Sequence, residues 1–388
     1  MNILHIVPSL DPCWGGPAKS VPALAAALKH IGHRAEIFTT DWPLAGRKPG
    51  TEERQELRDS VPIRIFPATP FRFDPRVPTS PLLLAALRDG VGQFDVVHFH
   101  VIWNPVVSFG MRLMRRQGLP YVVAPRGAMD PVVFARNRWK KMPWAILWER
   151  ANLERAACVH FTARAESEKA AQCGWSFRRV VISPNLINLD EWRDLPARAE
   201  FEARFPILRG RDVVLFAGRI NWVKNLDLLI QAMALLRQER QDACLVCAGP
   251  DNEGYQRELE QLAARLGLAE HVIFAGMLQG CDLRAAYARA DVFALVSKRE
   301  NFGMAAGEAL AAGLPLVISD GVDLDLPESD VVARTRQEPS AIASALARQL
   351  ELRHDANVAE RARNLIAHGI AGALDPLVQA YQIVGLNG

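Results

Sequence analysis

Two carboxylates and two cations stand out in this 388-residue chain, because their types and spacing suit a charged, hydroxyl-rich ligand. Glu300 and Glu308 flank Asn301-Phe302-Gly303-Met304. An apolar run ends at Val296, a polar loop follows, and a helix is expected to start near Phe302-Gly303. The first N–H groups of a helix lack intrahelical partners and carry the positive end of its dipole, so they can seat an anion. Gly303 lets a ligand approach the backbone closely. With Glu308 in the second turn, both carboxylates can face one ligand, and acceptor-only groups suit hydroxyls. Spacing alone also fits one acid at a helix start and one solvated acid on its face.

The cations lie in Phe216-Ala217-Gly218-Arg219-Ile220-Asn221-Trp222-Val223-Lys224-Asn225-Leu226. A strand is expected to end at Ala217, which places Arg219 and Lys224 in the loop beyond it. Fixed cations there would stabilise the negative charge that grows on a departing diphosphate. Two solvated loop cations would read the same way.

Three further segments could contribute. Pro12-Cys13-Trp14-Gly15-Gly16-Pro17-Ala18 follows the first apolar run and opens a helix that Gly32 stops. Gly15 and Gly16 offer unobstructed amides, although a glycine pair is often only a turn. His98 and His100 share one face of a strand, and Arg126-Gly127-Ala128-Met129-Asp130 follows the next strand. Residues 111–155 hold ten lysines and arginines against three acids, with Trp139, Trp144 and Trp148 among them. That mixture suits an anionic membrane surface, single-stranded nucleic acid, or a solvated helix.

Regular elements must position these groups. Strand-like runs read Ile3–Val7, Ala35–Thr39, Ile63–Phe66, Asp95–His100, Tyr121–Pro125, Cys158–Thr162 and Val180–Ser183. The pattern restarts at Val213–Ala217, Ala243–Ala248, Val272–Ala275, Val292–Val296 and Pro315–Ile318. Helical patterns alternate with them. Ser80-Pro81 and Asn104-Pro105 each supply an N-cap residue with proline at N1. Near-continuous apolar strands alternating with helices imply parallel sheets covered on both faces. The fold class is therefore α/β, with two doubly wound parallel-sheet domains facing across a cleft, where ligands meet the carboxyl ends of the strands. Leu189–Gly210 reads as the linker, and Leu374–Val384 as a terminal amphipathic helix.

Bulk properties exclude other classes. A 49% hydrophobic and 23% charged composition is globular rather than disordered. No apolar run approaches the ~18–20 residues that span a bilayer, and the first residues lack the basic and apolar regions of a signal peptide. A cytoplasmic protein is expected. The six cysteines fit unpaired thiols in a reducing compartment. Cys244 and Cys247 should point to opposite faces of one strand, which opposes a shared metal. Residues 1–195 carry 26 basic against 18 acidic side chains and the remainder 20 against 25, which hints at an anionic partner for the first half.

The Glu300-x7-Glu308 segment, with Asn301-Phe302-Gly303 inside it and Glu308-Ala309-Leu310-Ala311-Ala312-Gly313-Leu314-Pro315 completing it, resembles the signature of retaining glycosyltransferase family 4. The Arg219–Lys224 loop, with Asn225 where glycine is usual, is similar to that family's diphosphate motif. Pro184-Asn185-Leu186-Ile187-Asn188 is similar to its Pro-Asn-Gly segment, with Leu186 replacing glycine. The resemblance covers nearly the whole chain.

It implies the GT-B fold: a Rossmann-like acceptor-binding domain over 1–190, a Rossmann-like nucleotide-sugar-binding domain over 205–370, and a helix in 371–388 crossing back to the first. It implies catalytic roles for Arg219, Lys224 and Glu300. Donor binding falls to Gly15, Gly16, Asn301, Phe302, Gly303, Met304 and Glu308, with Glu308 on the ribose and the base near Gly276-Met277-Leu278. His100, Arg126 and Asp130 are candidates for acceptor or sugar contacts. Many members carry His-Gly at Arg126-Gly127, so Arg126 would instead hold an acidic group on donor or acceptor.

The resemblance implies no cofactor and no metal, since Asp323-Leu324-Asp325 lies beyond the Glu-x7-Glu helix. The partners are a nucleotide-diphosphate sugar and a glycan, expected to be lipid-linked and part of surface polysaccharide biosynthesis. The 111–155 segment would then touch the cytoplasmic face of an anionic inner membrane, and no nucleic acid is expected. The rivals are a sugar-nucleotide epimerase of the same architecture, a glycoside phosphorylase, and a non-catalytic nucleic-acid-binding protein using the basic patch.

Overall fold

Strands form where apolar residues run without alternation, because a strand of a parallel sheet is covered on both faces. The computed structural model describes residues 1–42, 49–135, 138–251 and 254–386. The chain divides into two units: Met1–Leu186 with the segment from Gly372 onward, and Ile187–Ala371.

The first unit holds β1 (Asn2–Ser9), β2 (Arg34–Thr40), β3 (Arg54–Arg58), β4 (Val61–Phe66), β5 (Thr69–Phe71), β6 (Asp74–Thr79), β7 (Val96–His100), β8 (Tyr121–Ala124), β9 (Cys158–Phe161) and β10 (Val180–Ile182). Eight of them form one sheet in the order β10-β9-β8-β7-β1-β2-β4-β3, and β5 and β6 form a hairpin. Only β3 runs antiparallel in the large sheet, on β4. Successive residues of β1 serve opposite faces. Leu4 and Ile6 enter one core, and Ile3 and Val7 enter the other.

The second core is completed from the far end of the sequence. Leu377, Ala380, Tyr381 and Val384 of the Asp375–Leu386 helix pack into it, and Ser183 Oγ donates to the Ala373 carbonyl.

The second unit holds β11 (Val213–Ala217), β12 (Cys244–Ala248), β13 (Val272–Gly276), β14 (Val292–Leu295), β15 (Leu316–Ser319) and β16 (Val332–Thr335), in the order β13-β12-β11-β14-β15-β16. All recorded pairings in this sheet are parallel. Both sheets reverse their order beside the first strand of the unit, at β1/β7 and at β11/β14. Open α/β sheets bind ligands outside the strand ends at such a point.

The helix signals hold. Ser80 accepts from the Leu83 amide and Asn104 from the Val106 amide at their N-caps. Gly118 takes the left-handed conformation at the C-cap of Pro105–Gln117. Cys244 and Cys247 are buried single thiols in β12.

Leu189–Gly210 corrects the linker expectation. It forms a 3-10 turn at Leu189–Trp192 and a helix at Arg198–Arg204. Trp192, Phe201 and Leu208 are buried in the second unit's core, and Arg198 pairs with Asp291 at 2.7 Å. Prolines and charges suggested a solvated connector, but the few apolar residues between them share one packed face.

Candidate active site

The loops after β11 and β14 lie side by side because those strands pair directly. The Lys298 amide donates to the Val223 carbonyl at 2.8 Å, so the two motifs read from separate parts of the sequence form one surface. Lys224 Nζ forms an ion pair with Glu300 Oε2, both side chains being partly buried. Arg219 stands exposed on the same loop. Cation and carboxylate thus sit in contact at the sheet's reversal point.

Backbone contacts hold each loop. The Glu300 amide donates to the Gly321 carbonyl at 2.8 Å, and its own carbonyl accepts from the Asp323 amide at 2.9 Å. A Cβ on Gly321 would lie 2.4 Å from the Lys298 carbonyl oxygen, so only glycine lets that segment lie against the Glu300 loop. The Gly218 amide donates to the Ala248 carbonyl and the Ile220 amide to the Pro250 carbonyl, each at 2.9 Å.

Asn225 accounts for the departure from the family's glycine. Its φ is 56°, in the left-handed region that asparagine tolerates better than other side chains. Its amide nitrogen also donates to Gln337 Oε1 at 3.1 Å.

Gly303, with φ 70°, is the N-cap of the Met304–Ala312 helix. Phe302 is buried, while Asn301 and Met304 are partly exposed. Glu308 is not a solvated helix acid. It is 5% exposed and accepts from the buried Tyr287 hydroxyl at 3.3 Å. Burial and the Glu308 carboxylate hold the Tyr287 phenol far above its ordinary pKa, so it remains a donor. Tyr287 is wedged between Trp192 and Phe293, with ring centroids at 4.8 and 5.6 Å. A long-range contact of this kind leaves no local spacing to read, so Tyr287 was invisible in the sequence. The Asp-Gly pair after β15 was the available signal for Gly321.

In the first unit, Gly15 has φ 83° and precedes the Gly16–His30 helix, in the loop after β1 beyond a 3-10 turn at Pro12–Trp14. His5 pairs across β1 and β7 with His98. His98 and His100 are fully buried with His5, and His160 nearly so. His98 Nδ1 meets the Tyr381 hydroxyl at 2.6 Å. Burial drives all four imidazoles well below the usual histidine range, His5 and His160 to about 3, with Arg126 adding to the shift. They are therefore neutral at physiological pH.

Arg126 Nη2 meets His100 Nδ1 at 3.1 Å and Nη1 meets Asn185 Oδ1. Asp130 caps the Pro131–Ala135 helix by accepting from the Val132 amide at 2.9 Å, with Lys169 at 3.9 Å. Its carboxylate has a structural task, beside which a contact with an acceptor remains an expectation. Among the described residues, His5, His98 and His100 are the one group arranged as metal ligands could be.

Comparison with known proteins gives the class. Residues 15–185 match the glycosyl transferase 4-like domain, and residues 197–328 match glycosyl transferases group 1. A D-inositol 3-phosphate glycosyltransferase of Nocardia farcinica is 30% identical over 334 residues, covering 82% of this chain and 73% of that protein. A GDP-mannose:cellobiosyl-diphosphopolyprenol alpha-mannosyltransferase of Komagataeibacter xylinus is 26% identical over 326 residues, covering 82% and 76%. Sucrose-phosphate synthase from Thermosynechococcus elongatus matches over 100% of both chains with a TM-score of 0.75 at 21% identity, which shows the shared fold. The fold is GT-B, built from two Rossmann-like units. The chain belongs to glycosyltransferase family 4 and is a glycosyltransferase.

Proposed function

We propose that this glycosyltransferase moves a hexose-type sugar from a nucleotide-diphosphate sugar to an acceptor hydroxyl, with retention and without a metal. The contact of Lys224 with Glu300 at the reversal point of the second sheet carries this reading. The acceptor oxygen bonds to the anomeric carbon on the face from which the diphosphate departs. The bond from that carbon to the phosphate oxygen breaks, and the acceptor's proton passes to the departing phosphate. Arg219 and Lys224 stabilise the growing phosphate charge, which is the service a divalent ion would otherwise give. Glu300 orients the donor sugar. Glu308, held by Tyr287, takes the ribose hydroxyls.

Thermal unfolding with UDP, GDP and ADP tests the donor half. At ~100 times its dissociation constant, the cognate nucleotide adds about 2.7 kcal/mol of stability. The Glu308→Ala variant is expected to lose most of that gain. No shift with any of the three would overturn the nucleotide-sugar reading, and transfer lost on chelation would overturn metal independence.

For the acceptor, we favour a lipid-linked glycan of surface polysaccharide biosynthesis, with the enzyme peripheral on the cytoplasmic face of the inner membrane. The Komagataeibacter relative, by its name, acts on a cellobiosyl-diphosphopolyprenol, whereas the Nocardia relative's name gives D-inositol 3-phosphate. The basic 111–155 segment supports the lipid reading. Trp139, Ile146 and Leu147 there are 73%, 69% and 60% exposed, while Glu149 anchors the segment from inside by accepting from Trp103, Ser108 and Trp144. No helix among the described residues is long and apolar enough to cross a membrane.

Apolar side chains beside cations suit insertion into anionic headgroups. The chain is expected to sediment with phosphatidylglycerol vesicles and not with phosphatidylcholine vesicles. Ile146→Glu with Leu147→Glu should abolish sedimentation without lowering the melting temperature. Equal sedimentation with both lipids would remove the membrane role.

A further inference from the structure

The first unit holds a partly buried cation among neutral partners. Arg126 contacts the Asn185 amide oxygen and the His100 ring nitrogen, and among the described residues no carboxylate pairs with it. Its guanidinium is pulled down to about 10 by burial, with Glu166 opposing that shift. Glu166 itself is engaged elsewhere, accepting from the Gly127 and Thr162 amides and the Thr162 hydroxyl. A guanidinium held largely out of water without a carboxylate beside it is costly.

Hydrogen-bond direction shows what would complete it. Arg126 has only protons to give, so neutral His100 accepts at Nδ1 and carries its proton on Nε2. That proton is donated to His5 Nδ1 at 3.0 Å. His5 in turn carries its proton on Nε2. Both His5 Nε2 and Arg126 Nε are buried without a partner, as is His98 Nε2. The group therefore holds one positive charge and at least two unused buried donors. His5 and His100 lie with ring centroids 5.2 Å apart.

Unfilled donors around an uncompensated cation suit an anion with several acceptor oxygens. A metal ion is a poorer match, because His100 is already bonded on both ring nitrogens and the guanidinium would repel it. Arg126 also remains partly open to solvent, which leaves a way in. Its φ of 56° costs energy for a residue other than glycine.

We propose that Arg126, backed by His100 and His5, is the seat of an anionic group, a phosphate or a carboxylate, carried by the acceptor sugar. The assignment to the acceptor rests on the transferase reading, whereas the anion seat itself does not.

Calorimetric titration with inorganic phosphate, a hexose 6-phosphate, a hexuronate and the neutral hexose tests the proposal. At least one charged sugar is expected to bind tenfold or more tighter than the neutral one. Whichever of the two binds identifies phosphate or carboxylate. The Arg126→Gln variant should lose the difference, and Arg219→Gln should keep it, which separates this seat from the diphosphate site. Ring-nitrogen resonances of His5 and His100 in the wild-type chain should move with phosphate, a readout that does not depend on any variant folding.

Equal binding of charged and neutral sugars would overturn the proposal. So would phosphate binding that survives Arg126→Gln, or tight zinc binding lost in His5→Ala with no response to phosphate. Absence of nucleotide binding would instead sink the nucleotide-sugar reading and leave the phosphate titration to decide the seat alone.

Discussion

Replacing Lys224 by alanine is expected to cut the transfer rate by about 100- to 1000-fold, the usual effect of removing one charge-stabilising group from a transition state. Glu300→Gln should produce a loss of similar order, because it keeps the side chain's shape and removes the charge that Lys224 meets. The double variant decides whether the two act as one unit. Coupled residues are not additive, so it should lose little more than the worse single variant. Steady-state kinetics with saturating acceptor would show this. Stability should change by only about 0–1 kcal/mol, since the pair is partly solvated, so a lost rate cannot be blamed on unfolding. Near-wild-type turnover in a single variant would remove that residue from the mechanism.

The largest structural effect is expected at Gly249, at the end of β12. A Cβ there would lie 1.8 Å from the Gly218 carbonyl oxygen and 2.6 Å from its carbonyl carbon. Both are main-chain atoms of the turn that leads to Arg219, so no side chain can swing aside. Gly249→Ala should destabilise the chain by ~3 kcal/mol, the upper part of the range for overpacking, and depress transfer further by displacing the Arg219 loop. Gly92→Ala is the matched control. A Cβ there meets nothing within 4 Å, and a surface change of that kind stays within about 0.5 kcal/mol. Chemical denaturation of the two variants against wild type measures the contrast. Equal midpoints would show that the turn relaxes freely and does not fix Arg219.

The alternation of strands and helices was legible because burial on both faces demands continuous apolar runs, as in Val213–Ala217 and Val292–Leu295. The missed strands lack that mark. All five residues of β3 are exposed, and an edge strand of Arg-Gln-Glu-Leu-Arg carries no core pattern. The β5–β6 hairpin holds Pro70, Pro75 and Pro78, which argue against a strand when neighbours are unknown. The misjudged linker shows the same limit, since Trp192 and Phe201 declare themselves only once Tyr287 and its helix are in place beside them.

By itself, the sequence determined the class of fold, the loops that end β11 and β14, the helix caps at Ser80 and Asn104, and the residue types able to meet a diphosphate and hydroxyls. Those features rest on local rules of periodicity, capping and charge, which act over a few residues. Tertiary structure alone decided that Lys224 meets Glu300, that Tyr287 holds Glu308, that the terminal helix sets Tyr381 on His98, and that Arg126 lies among neutral partners. Each of these contacts joins residues far apart in the chain. Strand order creates them, and strand order follows from how whole faces are buried rather than from any spacing a sequence displays.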